Sequence, residues 1–151
     1  MRSSRSIAVA ESFGASADNY DAHAELQRAV AARLVRLLPE LVRPRVLELG
    51  CGTGLFSRHL LAHYPDGTFV FSDLAPAMVE QCRRRLDPAA RASFAVIDAD
   101  APDEQGTFDV IALSMALHWL LHPLGALQRL RRMLSPRGAL VYATLGRESF
   151  A

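Results

Sequence analysis

The sequence predicts an α/β fold in which a parallel sheet of five strands is flanked by helices. Three observations lead to this prediction. From Arg45 onward, apolar runs of strand length alternate with helical segments of about ten residues, which is typical of βαβ units. The first apolar run stops abruptly at residues 50–54 (GCGTG), and a helical pattern follows at once. Of the 151 residues, 50% are hydrophobic, which is enough for the core of one domain.

Two segments precede the sheet. Residues 1–21 are polar overall and are expected to form a mobile N-terminal arm. Residues 22–38 carry apolar side chains at helical spacing, and they are predicted to form a helix that Pro39 ends or kinks. We therefore expect residues 22–151 to make up the ligand-binding domain.

The elements of the sheet follow in order along the chain. The predicted strands are residues 45–49, 68–72, 93–97, 108–113 and 139–144. The predicted helices between them are residues 55–63, 76–86 and 124–134, with prolines at 76 and 123 to begin two of them. A turn at residues 135–138 (SPRG) is expected to lead into the fifth strand. Strands and helices that alternate in this way pair in parallel through right-handed crossovers.

Charge and cysteine content narrow the class of protein. The net charge of +1 gives no overall attraction to nucleic acid or to an anionic membrane. No apolar stretch approaches the length that spans a bilayer. Cys51, Cys82 and the histidines lack metal-ligand spacing, so we expect no metal site and a reduced, cytoplasmic protein.

The glycine turn after the first strand predicts a ligand site. Gly50, Gly52 and Gly54 allow a tight turn that a ligand can approach closely, and the helix start that follows favours an anionic group. Two ligand chemistries compete for such a turn. A dinucleotide site uses G-x-G-x-x-G, which is one residue longer between the last two glycines than the pattern found here.

Acidic residues accompany the predicted strands. Asp73 closes the second strand, Asp98 closes the third, and Glu48 lies inside the first. Asp73 could bind two ribose hydroxyls and Asp98 an adenine amine; the alternatives are a helix N-cap before Pro76 and a turn former. Because the carboxyl ends of parallel strands form one ligand-binding edge, the set favours a ligand with ribose, adenine and an amino-acid tail, such as S-adenosylmethionine.

Taken together, these motifs resemble those of the class I S-adenosylmethionine-dependent methyltransferases, which have a Rossmann-like fold. VLELGCGTG is similar to the family's first motif, FVFSDLAPAM to its ribose-binding second strand and FAVIDAD to its adenine-contacting third. TFDVIALSMALHWL and LRRMLSPRGALVYATL match the fourth and fifth strands with the helix between them. More narrowly, SFGASADNYDAHAELQRAVAARL, ALHWL and ATLGRESFA resemble the biotin-pathway malonyl-[acyl-carrier protein] O-methyltransferases. That resemblance implies methylation of the free carboxylate of a malonyl thioester.

The resemblance also implies a set of cofactor-binding residues along the carboxyl edge of the sheet. They are Glu48, Gly50, Gly52, Gly54, Asp73, Leu74, Met78, Asp98, Ala99 and Ser114. Glu48 and the glycines would lie behind the methionine moiety, with Ser114 near its amine. Leu74 and Met78 would line the adenine, and the Ala99 amide would address its edge. Met115 stands where relatives often have asparagine, and we expect its side chain to pack rather than to hydrogen-bond.

Methyl transfer to a carboxylate requires positioning rather than a general base, because a carboxyl group is ionised at neutral pH. The candidates near the transfer point are Tyr20, His118 and Trp119. Tyr20 either faces the sulfonium or anchors the arm, and Trp119 either walls the acceptor pocket or lies in the core. His118 either hydrogen-bonds the acceptor or is a structural histidine. Gln27 either reaches the cofactor's carboxylate or is an ordinary exposed glutamine.

The end of the chain bears on activity. The resembled family continues with a lid segment and two more strands, so we expect a domain that is truncated after its fifth strand. Leu140, Val141 and Tyr142 are then expected to lack neighbours at the sheet edge, which predicts a fragment of a longer protein or self-association through this edge. The functional alternatives are a methyltransferase of another small molecule and a cofactor-binding module without turnover.

Overall fold

The protein is described here by a computed structural model that covers residues 25–86, 91–102 and 106–144. The expected N-terminal arm, including Tyr20, lies outside these residues. The helices are α1 (Glu25–Leu34), α2 (Leu55–His63), α3 (Pro76–Arg85) and α4 (Pro123–Arg132). The strands are β1 (Arg45–Leu49), β2 (Thr68–Asp73), β3 (Ala92–Val96), β4 (Phe108–Ser114) and β5 (Leu134–Ala143). Single 3₁₀ turns lie at Val35–Leu37 and Leu117–Trp119.

The five strands form one sheet in the order β3-β2-β1-β4-β5, and every neighbouring pair is parallel. The predicted α/β fold is therefore confirmed, and its strand order is Rossmann-like. From β1 the chain moves outward to β2 and β3, and it then returns to the other side of β1 with β4. Ligands of such sheets bind outside the carboxyl ends of the strands where the order reverses, which here is between β1 and β4.

The core lies on both faces of the sheet. On one face, Leu34 of α1, Leu60 of α2 and Cys82 of α3 pack in a single cluster with side chains of β1, β2, β4 and β5. On the other face, Leu130 of α4 packs against Leu47 and neighbouring residues of the sheet. Four helices thus enclose β1, whose last four residues are all buried.

The first helix ends earlier than the sequence predicts. It gives way at Val35 to a 3₁₀ turn, and Leu38 has extended backbone angles (φ −65°, ψ 132°). A proline ring clashes with the residue before it and disfavours the helical region there. Pro39 therefore forces Leu38 into an extended conformation. Among the described residues, no helix is both long and apolar enough to cross a bilayer.

The start of the fifth strand is the main error in the predicted boundaries. β5 begins at Leu134, opposite Phe108, but the next paired residues are Val110 and Ala139. Asp109 of β4 thus faces residues 135–138, which form an irregular bulge inside the strand instead of the predicted turn before it. The Ser135 hydroxyl donates to Asp109 Oδ1 at 2.8 Å, and this contact fastens the bulge to β4.

The outer position predicted for β5 is confirmed, but the predicted lack of neighbours is wrong for Val141 and for Leu140, which both pack against the core. In the described part of the chain, β5 is an outer strand of the sheet. Tyr142 is 44% exposed, whereas Val141 is 7% exposed and belongs to the core. Side chains of a strand point above and below the sheet, so an edge exposes backbone groups before it exposes both rows of side chains.

Candidate functional site

The glycine turn connects β1 to α2 through three left-handed backbone conformations. Gly50, Gly52 and Gly54 have φ values of +74°, +54° and +97°. A residue with a side chain is strained at such angles. A Cβ placed on Gly50 would also lie 2.7 Å from the Cβ of Ala116, which leaves no room for it. The predicted turn is therefore present, and glycine at position 50 is required for two independent reasons.

Asp73 holds this turn against the end of β2. Its Oδ2 accepts a hydrogen bond from the Gly52 amide at 2.9 Å, and its Oδ1 accepts one from the Ala75 amide at 2.9 Å. Burial raises the pKa of Asp73, and the backbone hydrogen bonds from Ala75, Gly52 and Leu74 oppose that rise. The N-cap of α3 is Ala75, so the alternative of Asp73 as an N-cap is wrong. Asp73 instead ties the ends of β1 and β2 to the start of α3.

Glu48 is a buried carboxyl group in the middle of the sheet. It is 1% exposed, and the Ser57 hydroxyl donates a hydrogen bond to its Oε1. Its Oε2 is buried without a hydrogen-bond partner among the described residues. Burial is the main cause that raises the pKa of Glu48 to about 8; the Ser57 hydrogen bond opposes the rise and the charge of Asp73 adds to it. A buried oxygen without a partner is costly, which favours a ligand group that donates to it.

A small cavity of about 20 Å³ lies at the point where the strand order reverses, and four of the ten predicted cofactor residues line it: Glu48, Gly50, Gly52 and Ser114. It is lined by Gln27, Glu48, Gly50, Cys51, Gly52, Thr53, Leu55, Phe56 and Ser114. Elements α1, β1, the glycine turn, α2 and β4 all contribute to it. The sequence left two alternatives for Gln27, an exposed glutamine or a residue that reaches the cofactor's carboxylate. Its position in the cavity wall favours the second.

Ser114 and Met115 mark the end of β4 beside this cavity. Ser114 is half-buried and lines it. Met115 has a φ of +58°, its side chain is buried, and its amide donates to the Ala143 carbonyl at 2.9 Å. The prediction that the Met115 side chain packs is therefore confirmed.

The predicted adenine side is less completely assembled. The Ile97 amide donates to the Asp73 carbonyl, so Asp98 follows β3 beside the end of β2. Asp98 Oδ1 accepts from the Asp100 amide at 3.0 Å, which is the turn-forming contact considered as its alternative role. Leu74 and Ala99 are half-buried, as a ligand wall requires. Met78 is 1% exposed and presents almost no surface to a ligand.

His118 and Trp119 follow β4 on a 3₁₀ turn, with ring centroids 5.0 Å apart. Trp119 is 47% exposed, so the alternative of a core tryptophan is wrong. His118 is half-buried, and burial lowers its pKa. Its Nδ1 is buried without a hydrogen-bond partner within the described ranges. Both side chains remain candidates for acceptor contact.

Sequence reasoning missed two residues that shape the site. Ser57 binds Glu48, and the only signal for it is a small polar residue within the first turn of an otherwise apolar helix face. Asp100 accepts hydrogen bonds from the Leu121 and His122 amides at 2.9 and 3.0 Å. It thereby fixes the start of α4 to the loop after β3, and an acidic loop gives no sequence signal for such a contact.

A larger cleft of about 400 Å³ lies elsewhere, and Arg45, Thr68, Arg91 and Ser93 are among its lining residues. These residues stand at the amino ends of β1, β2 and β3, opposite the glycine turn. Because ligands of open parallel sheets bind at the carboxyl ends of the strands, we assign the functional site to the smaller cavity.

A Rossmann-like sheet with a glycine turn and buried acids at its reversal point defines a nucleotide-type cofactor domain. Comparison with known proteins makes the class specific. Residues 47–140 match the family model described as a methyltransferase domain. The chain belongs to this methyltransferase family, as the motifs of the sequence indicate.

Individual relatives carry related names. The chain is 42% identical over 146 residues to a malonyl-[acyl-carrier protein] O-methyltransferase of Magnetococcus marinus, covering 94% of this chain and 54% of the relative. It is 39% identical to the biotin biosynthesis bifunctional protein BioCD of Bordetella avium, covering 94% and 31% respectively. The chain thus spans about half of the first relative and a third of the second.

A solved structure supports the fold independently. The N-methyltransferase NodS of Bradyrhizobium japonicum, in complex with S-adenosyl-L-homocysteine, superposes with a TM-score of 0.68 and 26% identity. The match covers 76% of this chain and 60% of NodS.

Proposed function

We propose that this domain binds S-adenosylmethionine at the glycine turn and that the whole protein transfers the methyl group to the free carboxylate of a malonyl thioester. The cavity that brings Gln27, Glu48 and Ser114 to the reversal point of the sheet carries the cofactor half of this proposal. The 42% identity to a malonyl-[acyl-carrier protein] O-methyltransferase supports the acceptor half.

The residues in the site fit such a cofactor. Glu48 offers a buried oxygen without a described partner, which suits the ammonium of a methionine moiety, and Ser114 shares the cavity. Gln27 can donate to a carboxylate from the same cavity. The turn at Gly50, Gly52 and Gly54 has the open backbone that close approach requires.

The other half of the cofactor meets the ends of β2 and β3. The Asp73 carboxylate accepts backbone hydrogen bonds from Gly52, Leu74 and Ala75, and its roughly four lone-pair sites leave room for a ribose hydroxyl. The adenine side of the proposal is formed by Leu74, Asp98 and Ala99, and Met78, which is 1% exposed, supports it from the core.

When bound, S-adenosylmethionine supplies a methyl group that is already activated on a sulfonium. An acceptor carboxylate would displace the thioether in line, so that the carbon–oxygen bond of a methyl ester would form as the carbon–sulfur bond breaks. The carboxylate needs no base, so the protein contributes alignment at roughly 3–3.5 Å and exclusion of water. We assign the acceptor side to His118 and Trp119 after β4, together with Tyr20 of the N-terminal segment.

The setting of the reaction is part of the proposal. A carrier-linked acceptor follows from the names of the relatives. Cys51 and Cys82 are free thiols, which supports a reducing compartment, and we propose the cytoplasm. The outer strand β5 is the surface that we propose for self-association.

Titration calorimetry tests the cofactor half directly. S-adenosylmethionine and S-adenosylhomocysteine should bind with one site per chain, and NAD should not bind. Binding of NAD in their place would contradict the proposal.

Turnover tests the acceptor half. Malonyl-carrier protein should gain one methyl group by mass spectrometry, and acetyl-carrier protein, which lacks the free carboxylate, should gain none. Methylation of an unrelated small molecule would favour a different acceptor. Binding without methylation of any acceptor would favour a cofactor module.

A further inference from the structure

Ser57 lies directly behind the Glu48 carboxyl group and has no part in the function proposed above. It is fully buried in the first turn of α2. Its hydroxyl donates to Glu48 Oε1, and its oxygen lies 3.7 Å from the Cys82 sulfur on α3. The hydroxyl is thus enclosed between β1 and α3, and the Glu48 carboxyl group is its hydrogen-bond acceptor.

The hydrogen bond makes the two oxygens of Glu48 unequal. Oε1 accepts the hydrogen bond from Ser57, whereas Oε2 has no hydrogen-bond partner in the described part of the chain. Glu48 itself lines the cavity. A glutamate side chain has several rotatable bonds, so a buried carboxyl group without this contact could turn, and its pKa would rise further.

Among the described residues, Ser57 is the hydrogen-bond donor seen at the Glu48 side chain. Asp73 of β2 repels its negative charge. The Ser72 hydroxyl of β2 donates to the backbone carbonyl of Glu48 at 2.7 Å, and this hydrogen bond does not involve the Glu48 carboxyl group. Cys51 in the glycine turn and Cys82 on α3 are buried thiols. Ser57 is therefore the hydroxyl that both orients the carboxylate and stabilises its charged form.

We propose that Ser57 is a positioning residue that fixes Oε1 of Glu48 so that Oε2 is presented to a primary ammonium group of the ligand in the cavity. This inference rests on the proposed cofactor, whose methionine moiety carries such a group. A purely structural Ser57 would only satisfy its own hydroxyl in the core and would support every part of the ligand equally.

The test separates these two roles by ligand and by variant. S-adenosylhomocysteine carries the ammonium, whereas 5′-methylthioadenosine keeps the adenine and ribose but lacks the amino-acid tail. Ser57→Ala removes the hydroxyl. Ser57→Thr and Ser57→Val have nearly the same size, and only Thr keeps the hydroxyl, so their difference isolates it from overpacking.

We expect Ser57→Ala and Ser57→Val to weaken S-adenosylhomocysteine binding on the order of tenfold, the effect of one hydrogen bond to a charged group. Ser57→Thr should bind it like the parent chain, and 5′-methylthioadenosine should bind all variants alike. Equal losses for both ligands, or equal binding of the Thr and Val variants, would overturn the positioning role. If Ser57→Val does not fold, the comparison of Ser57→Ala with Ser57→Thr decides.

A ligand-free measurement keeps this inference apart from the proposed cofactor. Carbon-13 NMR of the Glu48 carboxyl group should show a higher pKa in Ser57→Ala than in the parent chain, because the hydroxyl stabilises the charged form. An unchanged titration would contradict the role of Ser57. Failure of the parent chain to bind S-adenosylhomocysteine would instead overturn the proposed cofactor, and the titration would still decide on Ser57.

Discussion

The two sides of the candidate site are built differently. On the cofactor side, the carboxyl groups of Glu48 and Asp73 are buried, and Asp73 accepts hydrogen bonds from the Gly52 amide in the glycine turn and from the Ala75 amide before α3. On the acceptor side, beyond β4, Trp119 is 47% exposed and His118 is half-buried. Changes on the cofactor side should therefore cost both folding and binding, whereas changes on the acceptor side should affect turnover alone.

The largest effect is expected at Gly50. Gly50→Ala combines a positive φ with a Cβ placed 2.7 Å from Ala116, so the free energy of unfolding should fall by roughly 2–4 kcal/mol. Urea denaturation measures this loss. Gly125→Ala in α4 is the matched control, because its Cβ would meet nothing nearer than 4.0 Å, and it should leave stability unchanged or raise it. Equal losses at both positions would contradict the tight turn.

Asp73→Ala should come next. It leaves the Gly52 and Ala75 amides without their acceptor, and we expect a loss of about 2 kcal/mol of stability. S-adenosylmethionine binding should weaken sharply at the same time, as calorimetry can show. Glu80→Ala, which removes an acid that pairs with Arg83 and Arg84 on the surface of α3, is the control and should leave binding unchanged. Undiminished binding in Asp73→Ala would remove Asp73 from the site.

The pH dependence of stability tests the buried state of Glu48. A carboxyl group whose pKa rises on folding, here from 4.5 to about 8, binds more protons when folded, so stability falls as pH rises between those values. The group alone contributes up to about 1.4 kcal/mol per pH unit. Between pH 5 and pH 8, the free energy of unfolding should fall less for Glu48→Gln than for the parent chain. Urea denaturation of both proteins at about these two pH values measures the difference. Asp73, whose pKa is also raised by burial, is present in both proteins. Parallel pH profiles would contradict this state of Glu48.

The smallest effect on stability is expected at Trp119. Because the side chain is 47% exposed, Trp119→Ala should cost about 1 kcal/mol or less. Cofactor binding should stay as in the parent chain, and methylation of the acceptor by the whole protein should slow. Loss of cofactor binding in Trp119→Ala would contradict the assignment of Trp119 to the acceptor side.

The sequence predicts most of the fold because its elements are sharply punctuated. The bounds of β1 and α2 agree with those predicted, since the glycine turn ends one and the turn after His63 ends the other. The start of β5 could not be predicted, because the bulge at 135–138 depends on Asp109 of a neighbouring strand. The spacing of apolar residues predicts the type of an element, but it does not predict which side chains of two elements contact each other.

The candidate site divides in the same way. Glu48, Asp73 and the glycines are marked by their place at strand ends, so a pattern could find them. Ser57 follows the helical pattern like any core residue, and its importance comes from a hydrogen bond to a preceding strand. Gln27 could be proposed but not placed, because nothing in a sequence says which helix face meets the cavity.

Amide chemical shifts recorded during titration with S-adenosylhomocysteine test the location of the cofactor most directly. The amides of Gly50, Gly52 and Ser114 at the carboxyl edge should move, whereas Arg91 and Ser93 at the opposite cleft should not. Shifts confined to the cleft of Arg91 and Ser93, with the glycine turn unaffected, would contradict the assignment of the site.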